Sequence, residues 1–216
     1  MAIPTNVYAE MTPNPAVMKF VADRLLIEGG YQAEFRSQKD AALCSPLAVE
    51  LYNFPFVKGI FISGHFVSVT KDESLGWEMI VQQLREYVRE WLTEHPVAVD
   101  TPAFEKVMEQ LAQPESAASA ASVSASSTVA FLDDTEMVPS DYDDEIKHLL
   151  DEFVRPAVEQ DGGAIDFKAF KDGKVYVHMR GACSGCPSSM QTLKGGIEQL
   201  LTSKIDAVDE VVALGV

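Results

Sequence analysis

The chain has 216 residues, 47% of them hydrophobic, which is enough for one large or two small buried cores. Its 33 acidic and 17 basic residues give a formal net charge of −16, which disfavours nucleic acid and anionic membrane as partners. Three cysteines are an odd number and too few for a disulfide framework, and no apolar run reaches the roughly 18 residues of a membrane span. The first residues lack a secretory or transit-peptide pattern, so we expect a cytoplasmic protein with reduced thiols.

The first half of the chain predicts an α+β unit. A short strand over residues 7–11 is followed by Asn14 and Pro15, which have the pattern of an N-cap and first helical residue, and helical spacing of apolar residues then runs to Leu26. The elements predicted next are a strand over 31–37, a helix from the N-cap Ser45 to Phe54, a hairpin over 59–63 and 66–70, a long helix over 73–92 and a short helix over 101–111.

Composition changes abruptly after residue 112. Residues 113–128 are almost entirely Ala, Ser, Pro and Glu, and an acidic, sparsely apolar run follows. Such a segment buries too little apolar surface to offset the entropy of ordering. We therefore predict a flexible linker over 113–139 and two domains that move independently.

The pattern restarts at residue 140. Ser140 is predicted to be the N-cap of a helix whose apolar stripe extends to Val158, with a kink near Pro156 and an end at Gly162. A hairpin over 165–169 and 175–179, a helix over 190–201 and a last strand over 209–214 complete the unit.

Concentrated chemistry lies in the turn Gly181–Pro187. Cys183 and Cys186 are three positions apart and can present both sulfurs to one centre, as a metal site, a cluster site or a dithiol redox pair requires. Pro187 is predicted to be the first residue of the next helix, whose amides and dipole favour thiolate. Within that helix, Gly195 and Gly196 predict a close backbone approach, inside the domain or at a dimer contact.

The other residues of ligand type give weaker signals. Cys44 is expected to be a small buried hydrophobe, and Trp77 and Trp91 are expected to lie in the core. The four histidines, His65, His95, His148 and His178, are scattered without ligand spacing. His178 is nearest to the cysteine turn, and its alternating position predicts an exposed strand residue.

Several motifs carry a family resemblance. Residues from about 140 to 214 resemble the NifU C-terminal domain of Nfu-type iron–sulfur proteins, through Val154-Arg155-Pro156, Asp161-Gly162-Gly163, the turn Gly181–Pro187 and the run Leu193–Glu198. Residues from about 12 to 91 resemble the Nfu N-terminal domain. The motifs there are Thr12–Pro15 with Lys19-Phe20, Ser45–Ala48, Val57-Lys58 and Val67–Lys71.

The resemblance, together with the predicted elements, implies two small α+β domains, each a sandwich of a mostly antiparallel sheet with helices on one face. We expect an Nfu-type N-terminal domain over 1–112, the linker over 113–139 and a NifU-like domain over 140–216. The family function implied is that of a cluster carrier or scaffold, not an enzyme: Cys183 and Cys186 would hold a [4Fe–4S] cluster between two subunits, with a [2Fe–2S] form left open. Upstream cluster-assembly proteins would be donors and apo iron–sulfur proteins acceptors.

Counting ligands leads to the same assembly. A cluster of this type is held by about four thiolates, and this domain supplies two, so a two-fold homodimer would complete the site. Two alternatives use the same cysteines. One is a thioredoxin-like dithiol oxidoreductase, weakened by the lack of an aromatic residue just before Cys183. The other is a zinc-binding adaptor, which two ligands per chain supports poorly. The N-terminal domain shows no catalytic constellation and is predicted to recognise clients or partners.

Overall fold

The computed structural model describes residues 4–95, 97–112, 140–183 and 187–214, and side chains throughout these ranges except at 110–112 and 187–190. The chain forms two α+β units, each built on its own sheet. The amino-terminal unit contains strands β1 (Val7–Met11), β2 (Val17–Ala22), β3 (Gln32–Phe35), β4 (Val57–Ser63) and β5 (Phe66–Lys71), and helices α1 (Gln38–Ala41), α2 (Pro46–Leu51), α3 (Trp77–Glu94) and α4 (Thr101–Ala112).

The sheet of this unit has five antiparallel strands in the order β1-β2-β5-β4-β3. One face packs against the helices, and α3 presents to it the stripe that the helical period predicted. That stripe consists of Ile80, Leu84, Val88, Trp91 and Leu92. The predicted mostly antiparallel sheet with helices on one face is therefore confirmed in this unit.

The prediction of a helix after Asn14 is wrong, because Val17–Ala22 forms strand β2. This strand pairs with both β1 and β5, and its first four residues are all buried. A strand that is covered on both faces loses the alternation of apolar and polar residues by which strands are recognised. Asn14 accordingly caps no helix, and its Oδ1 accepts a hydrogen bond from the amide of Ala16 at 3.0 Å.

Other predictions for this unit are largely confirmed. Ser45 caps α2, since its Oγ accepts a hydrogen bond from the amide of Ala48 at 3.2 Å, although the helix ends at Leu51 instead of Phe54. The β4–β5 hairpin turns through Gly64 at φ 49°, and Cys44 and Trp91 are buried as expected. The short helix α1 was not predicted.

The carboxy-terminal unit consists of one interrupted helix, a hairpin, a second helix and a last strand. Its elements are α5 (Asp143–Leu149), a π-helical turn (Leu150–Val154), α6 (Arg155–Gln160), β6 (Gly163–Lys171), β7 (Lys174–Gly181), α7 (Pro187–Lys204) and β8 (Glu210–Leu214). The sheet order is β6-β7-β8, with β6 antiparallel and β8 parallel to β7. The predicted hairpin turn is confirmed, with Asp172 and Gly173 at φ 50° and 75°.

The first helix differs from its prediction at its start. Ser140 does not cap it: α5 begins at Asp143 after Tyr142, and the Ser140 Oγ donates to the Asp143 carboxylate at 2.8 Å. Near the predicted kink at Pro156, the helix changes to a π-helical turn over Leu150–Val154, and Pro156 is the second residue of α6. Proline lacks the amide hydrogen that is used inside a helix, and prolines and π-bulges are the usual causes of helix kinks.

The two units pack against each other. Phe61 and Phe66 on the second face of the five-stranded sheet form a small buried cluster with Ala164 of β6. The prediction of independent motion is at odds with this contact, which removes two aromatic side chains from water. The predicted linker over 113–139 lies outside the described residues.

Among the described helices, none combines the length and apolar character needed to cross a membrane.

Candidate functional site

The cysteine turn lies between β7 and α7. Cys183 follows the end of β7 at Gly181 by two residues, and α7 begins at Pro187 as predicted. Residues 184–186, and therefore Cys186, lie outside the described residues. The structure thus places one of the two predicted ligands, and the assignment of Cys186 stays a prediction from the sequence.

Cys183 is buried, with 5% of its surface exposed. Its Sγ lies against the α-carbon of Gly163, where a Cβ would come within 2.7 Å of both the sulfur and the Arg180 carbonyl oxygen. Gly163 is therefore required by close approach. The second glycine of the Asp161-Gly162-Gly163 motif makes the space in which the sulfur is held.

Burial raises the pKa of the Cys183 thiol from 9.0 to about 11, and the negative charge of Asp161 adds to the effect. A shift of that size corresponds to about 3 kcal/mol against the thiolate. Helix α7 begins four residues after Cys183, and a helix dipole contributes about 0.3–1 kcal/mol, or up to about 2 kcal/mol at a partly buried position. Burial dominates, and in this conformation Cys183 is a neutral thiol at physiological pH.

A single chain does not assemble a complete metal site from the residues that the structure describes. These residues contain no group of three or more His, Cys, Asp or Glu side chains that could hold a metal ion. The histidines are scattered, as expected: His95 stacks on Trp91, and His148 pairs with Glu152. Any metal or cluster at Cys183 therefore needs further ligands from the undescribed turn or from another molecule.

His178 differs from its prediction, because it is half-buried instead of exposed. Its pKa is lowered, first by burial and then by the positive charges of Arg180 and Lys168. Asp166, which forms an ion pair with Arg180, offsets this only in part. His178 is neutral at pH 7 and belongs to the polar side of the hairpin.

The amino-terminal unit contributes to the surroundings of the turn, and the sequence did not predict this. The Asn14 Nδ2 donates a hydrogen bond to the carbonyl oxygen of Ala182 at 3.1 Å, next to Cys183. Pro13 and Asn14 close a small cavity over the sulfur together with Asp161, Ala182 and Leu193. In the sequence, the signal for this contact is the Thr12–Pro15 motif of the family resemblance, although the Asn14-Pro15 pattern itself predicts a helix start.

An open groove lies beside the turn, between the two long helical segments of the carboxy-terminal unit. It has a volume of about 480 Å³, and Phe153 on its rim is 52% exposed. Gly196 lines the groove, and a Cβ at Gly195 or Gly196 would meet no described atom within 4 Å. The close approach predicted at these glycines is therefore not found within the described part of the chain.

Comparison with known proteins agrees over both units. The family described as "NifU-like domain" matches residues 146–212, and the family described as "Scaffold protein Nfu/NifU N terminal" matches residues 7–95. NifU-like protein 4, mitochondrial, of Arabidopsis thaliana is 34% identical over 208 residues, which cover 95% of this chain and 64% of that protein. The Homo sapiens protein named NFU1 iron-sulfur cluster scaffold homolog, mitochondrial, is 32% identical over 203 residues, covering 93% of this chain and 68% of that protein.

A Drosophila persimilis protein with the same name as the human one is 33% identical over 204 residues, covering 93% of this chain and 62% of its own length. The chain thus spans roughly three fifths to two thirds of the length of these relatives. All three are named as mitochondrial, and this finding contradicts the predicted cytoplasmic location. Identity at this level along nearly the whole chain establishes that the protein belongs to the family of Nfu and NifU-like iron–sulfur scaffold proteins.

Proposed function

We propose that this chain is an iron–sulfur cluster scaffold and carrier, without turnover of a small substrate. Cys183 and Cys186 bind a [4Fe–4S] cluster as cargo, two chains share it in a homodimer, and the cluster passes to apo iron–sulfur proteins. The family membership and the names of the relatives support the general role. The cluster type, the dimer and the two ligands are our proposal.

The observation that carries the proposal is the ligand supply at the turn. A cubane cluster takes about four thiolates. One chain offers Cys183 and Cys186 there, and its third cysteine, Cys44, is buried in the core of the amino-terminal unit. The described residues offer no further group of metal ligands. A second copy of the same turn is the simplest source of the two missing sulfurs.

The burial of Cys183 argues against dithiol redox chemistry. A cysteine that attacks disulfides acts as a thiolate, and such cysteines have lowered pKa values. The pKa of Cys183 is raised by burial, so this conformation does not activate it as a nucleophile. Metal or cluster binding also requires loss of the proton, but there the metal itself supplies the compensating charge.

Anaerobic reconstitution with iron and sulfide tests the proposal. We expect a brown homodimer with one [4Fe–4S] cluster for every two chains, established by Mössbauer spectroscopy, iron and sulfide analysis and sedimentation velocity. Transfer to an apo-aconitase-type acceptor would restore that acceptor's activity. A colourless monomer, or a zinc-loaded protein without sulfide, would overturn the proposal. Reduction of insulin by the cluster-free protein would favour the oxidoreductase instead.

For the amino-terminal unit we propose recognition of donors or acceptors. The large hydrophobic side chains of this unit are not all buried in its core. Met11 and Met79 are 88% and 71% exposed. Met79 lies on α3, on the opposite side of the sheet from the carboxy-terminal unit. Met79→Glu should slow transfer to an acceptor without changing the cluster content, and equal transfer rates would argue against recognition through this helix.

A further inference from the structure

The second face of the five-stranded sheet carries a row of buried side chains, two of which are polar. Lys19, Ser68 and Phe61 lie in one row across β2, β5 and β4, because Lys19 pairs with Ser68 and Ser68 with Phe61. Their exposed fractions are 7%, 1% and 2%. These side chains point away from the main core, so another part of the molecule must cover them and satisfy their polar atoms.

The carboxy-terminal unit covers these side chains, through the residues just before β6 and just after β7. The Ser68 Oγ donates to the carbonyl oxygen of Gly162 at 2.9 Å, and the Lys19 Nζ donates to that of Gln160 at 3.2 Å. With Asn14 and Ala182, this makes three side-chain donors of one unit bonded to three main-chain carbonyls of the other. The Gly162 carbonyl also accepts from the amide of Ala182, so the bonded carbonyls belong to one locally connected structure.

The fit between the two surfaces depends on glycine. A Cβ on Gly162 would lie 2.9 Å from the Ser68 Oγ, and a Cβ on Gly181 would lie 2.9 Å from a ring carbon of Phe61. Both glycines also have positive φ, at 79° and 66°. These two glycines, one directly before β6 and one at the end of β7, therefore allow close approach of the amino-terminal sheet as well as their own backbone conformation.

Docking of the amino-terminal unit leaves little space between Cys183 and the loop that holds Pro13 and Asn14. The cavity between Pro13, Asn14 and Cys183 has a volume of about 20 Å³, which is room for about one water molecule. A cluster is much larger than a water molecule and does not fit into this cavity. On the side of Cys183 that Pro13 and Asn14 cover, a cluster could therefore be bound only after the docked loop has moved away.

We propose that the amino-terminal sheet is a cover that closes over the Cys183 turn of the same chain, and that cover docking and cluster loading exclude each other. This inference deepens the proposed function and rests on it. Closing protects the thiol while no cluster is bound. Opening exposes Cys183 and, at the same time, the face formed by Lys19, Phe61, Phe66 and Ser68.

The rate of alkylation of Cys183 in the full-length, cluster-free protein tests the cover. Iodoacetamide labelling is followed by peptide mass spectrometry for the wild type, Ser68→Arg and Gln83→Arg. Arginine at position 68 cannot be accommodated against Gly162 and beside Lys19, so it should hold the cover open and speed labelling of Cys183 about tenfold or more. Gln83→Arg adds the same charge on an exposed position of α3 and should leave the rate unchanged.

Cys44 serves as the internal control, because it is buried in the main core of the same unit. Unchanged labelling of Cys44 shows that Ser68→Arg has opened the cover without unfolding the unit. If Cys44 also becomes reactive, the milder pair Asn14→Ala and Ser68→Ala replaces the arginine and should accelerate Cys183 labelling several-fold. Equal Cys183 rates in a folded variant and the wild type would overturn the inference.

Reconstitution of the same proteins separates the two proposals. If Ser68→Arg accelerates Cys183 labelling but neither protein takes up iron and sulfide, the cover stands and the proposed function fails. If both proteins form the cluster at the same rate and label at the same rate, the function stands and the cover fails. With both proposals correct, the variant loads its cluster faster than the wild type.

Discussion

The side chain of Asn14 donates a hydrogen bond to the main-chain carbonyl oxygen of Ala182, although 168 positions separate the two residues in the chain. The bond links the loop between β1 and β2 to the residue that precedes Cys183. Asn14 is 4% exposed, and its Oδ1 is occupied by the amide of Ala16, so its orientation is fixed from both ends. The conformation around the cysteine turn is therefore a property of both units.

Replacement of the cysteines separates ligands from structural thiols. Cys183→Ser and Cys186→Ser should each abolish formation of a stable cluster, because each leaves a dimer with two thiolates. Cys44→Ala should retain the cluster, since Cys44 lies in the core of the amino-terminal unit. Iron and sulfide content after anaerobic reconstitution is the measurement. A Cys186→Ser variant with full cluster content would remove Cys186 from the ligand set.

Gly163→Ala should destabilise the carboxy-terminal unit. The new Cβ would come within 2.7 Å of the Arg180 carbonyl oxygen in the paired strand and of the Cys183 sulfur. Overpacking of this kind costs about 1–3 kcal/mol. Urea denaturation of the cluster-free protein measures the loss, and cluster uptake should fall as well, because the sulfur is displaced. Unaltered stability would mean that the hairpin relaxes around the methyl group.

Gly195→Ala is the matched opposite case. Gly195 lies in the middle of α7, and its Cβ would meet no described atom within 4 Å. Alanine is better than glycine in a helix interior by about 1 kcal/mol, so the cluster-free monomer should become more stable. If the glycine pair lies at the dimer contact, Gly196→Ala should weaken the cluster-bridged dimer in sedimentation velocity. An undiminished dimer would place the contact elsewhere.

The pH dependence of stability should carry the signature of Cys183. The pKa of its thiol is about 11 in the fold, against 9.0 when it is not buried. The folded state therefore binds this proton more tightly than the unfolded state, and its contribution to stability is complete below pH 9 and lost as the pH rises toward 11. The difference in unfolding free energy between the wild type and Cys183→Ala should shrink over that window. A constant difference would show that Cys183 is solvated.

How much of the fold the sequence predicts depends on how each element is covered. Helix α3 has one face on the sheet and one in water, so its apolar stripe has a clear helical period and was predicted correctly. The β6–β7 hairpin was recognised from the Asp172-Gly173 turn chemistry. Strand β2 was not, because the face that packs against the second unit carries the apolar residues Val17 and Val21 beside Lys19, so the alternation of apolar and polar residues is lost.

In the candidate site too, the sequence predicts the features that are local in the chain and misses those that depend on contacts between the units. The cysteine turn, the proline that begins α7 and the glycines before β6 are all local patterns, and the sequence predicts their positions. The contribution of Pro13 and Asn14 depends on a contact between units that are far apart in the chain. Neither spacing nor composition encodes such a contact. The raised pKa of Cys183 has the same origin, since burial, and not a neighbouring residue in the sequence, is its main cause.

The hydrogen bond from Lys19 to Gln160 makes the carboxy-terminal unit depend on the amino-terminal unit for part of its own structure. Gln160 is the last residue of α6, and terminal carbonyls of a helix lack partners within it. A lysine ammonium at that end also compensates the negative pole of the helix dipole. The helix that precedes β6 is thus completed by a side chain 141 positions earlier. A fragment cut at the predicted linker would retain the whole NifU-like sequence but lose the lysine that hydrogen-bonds to the end of this helix.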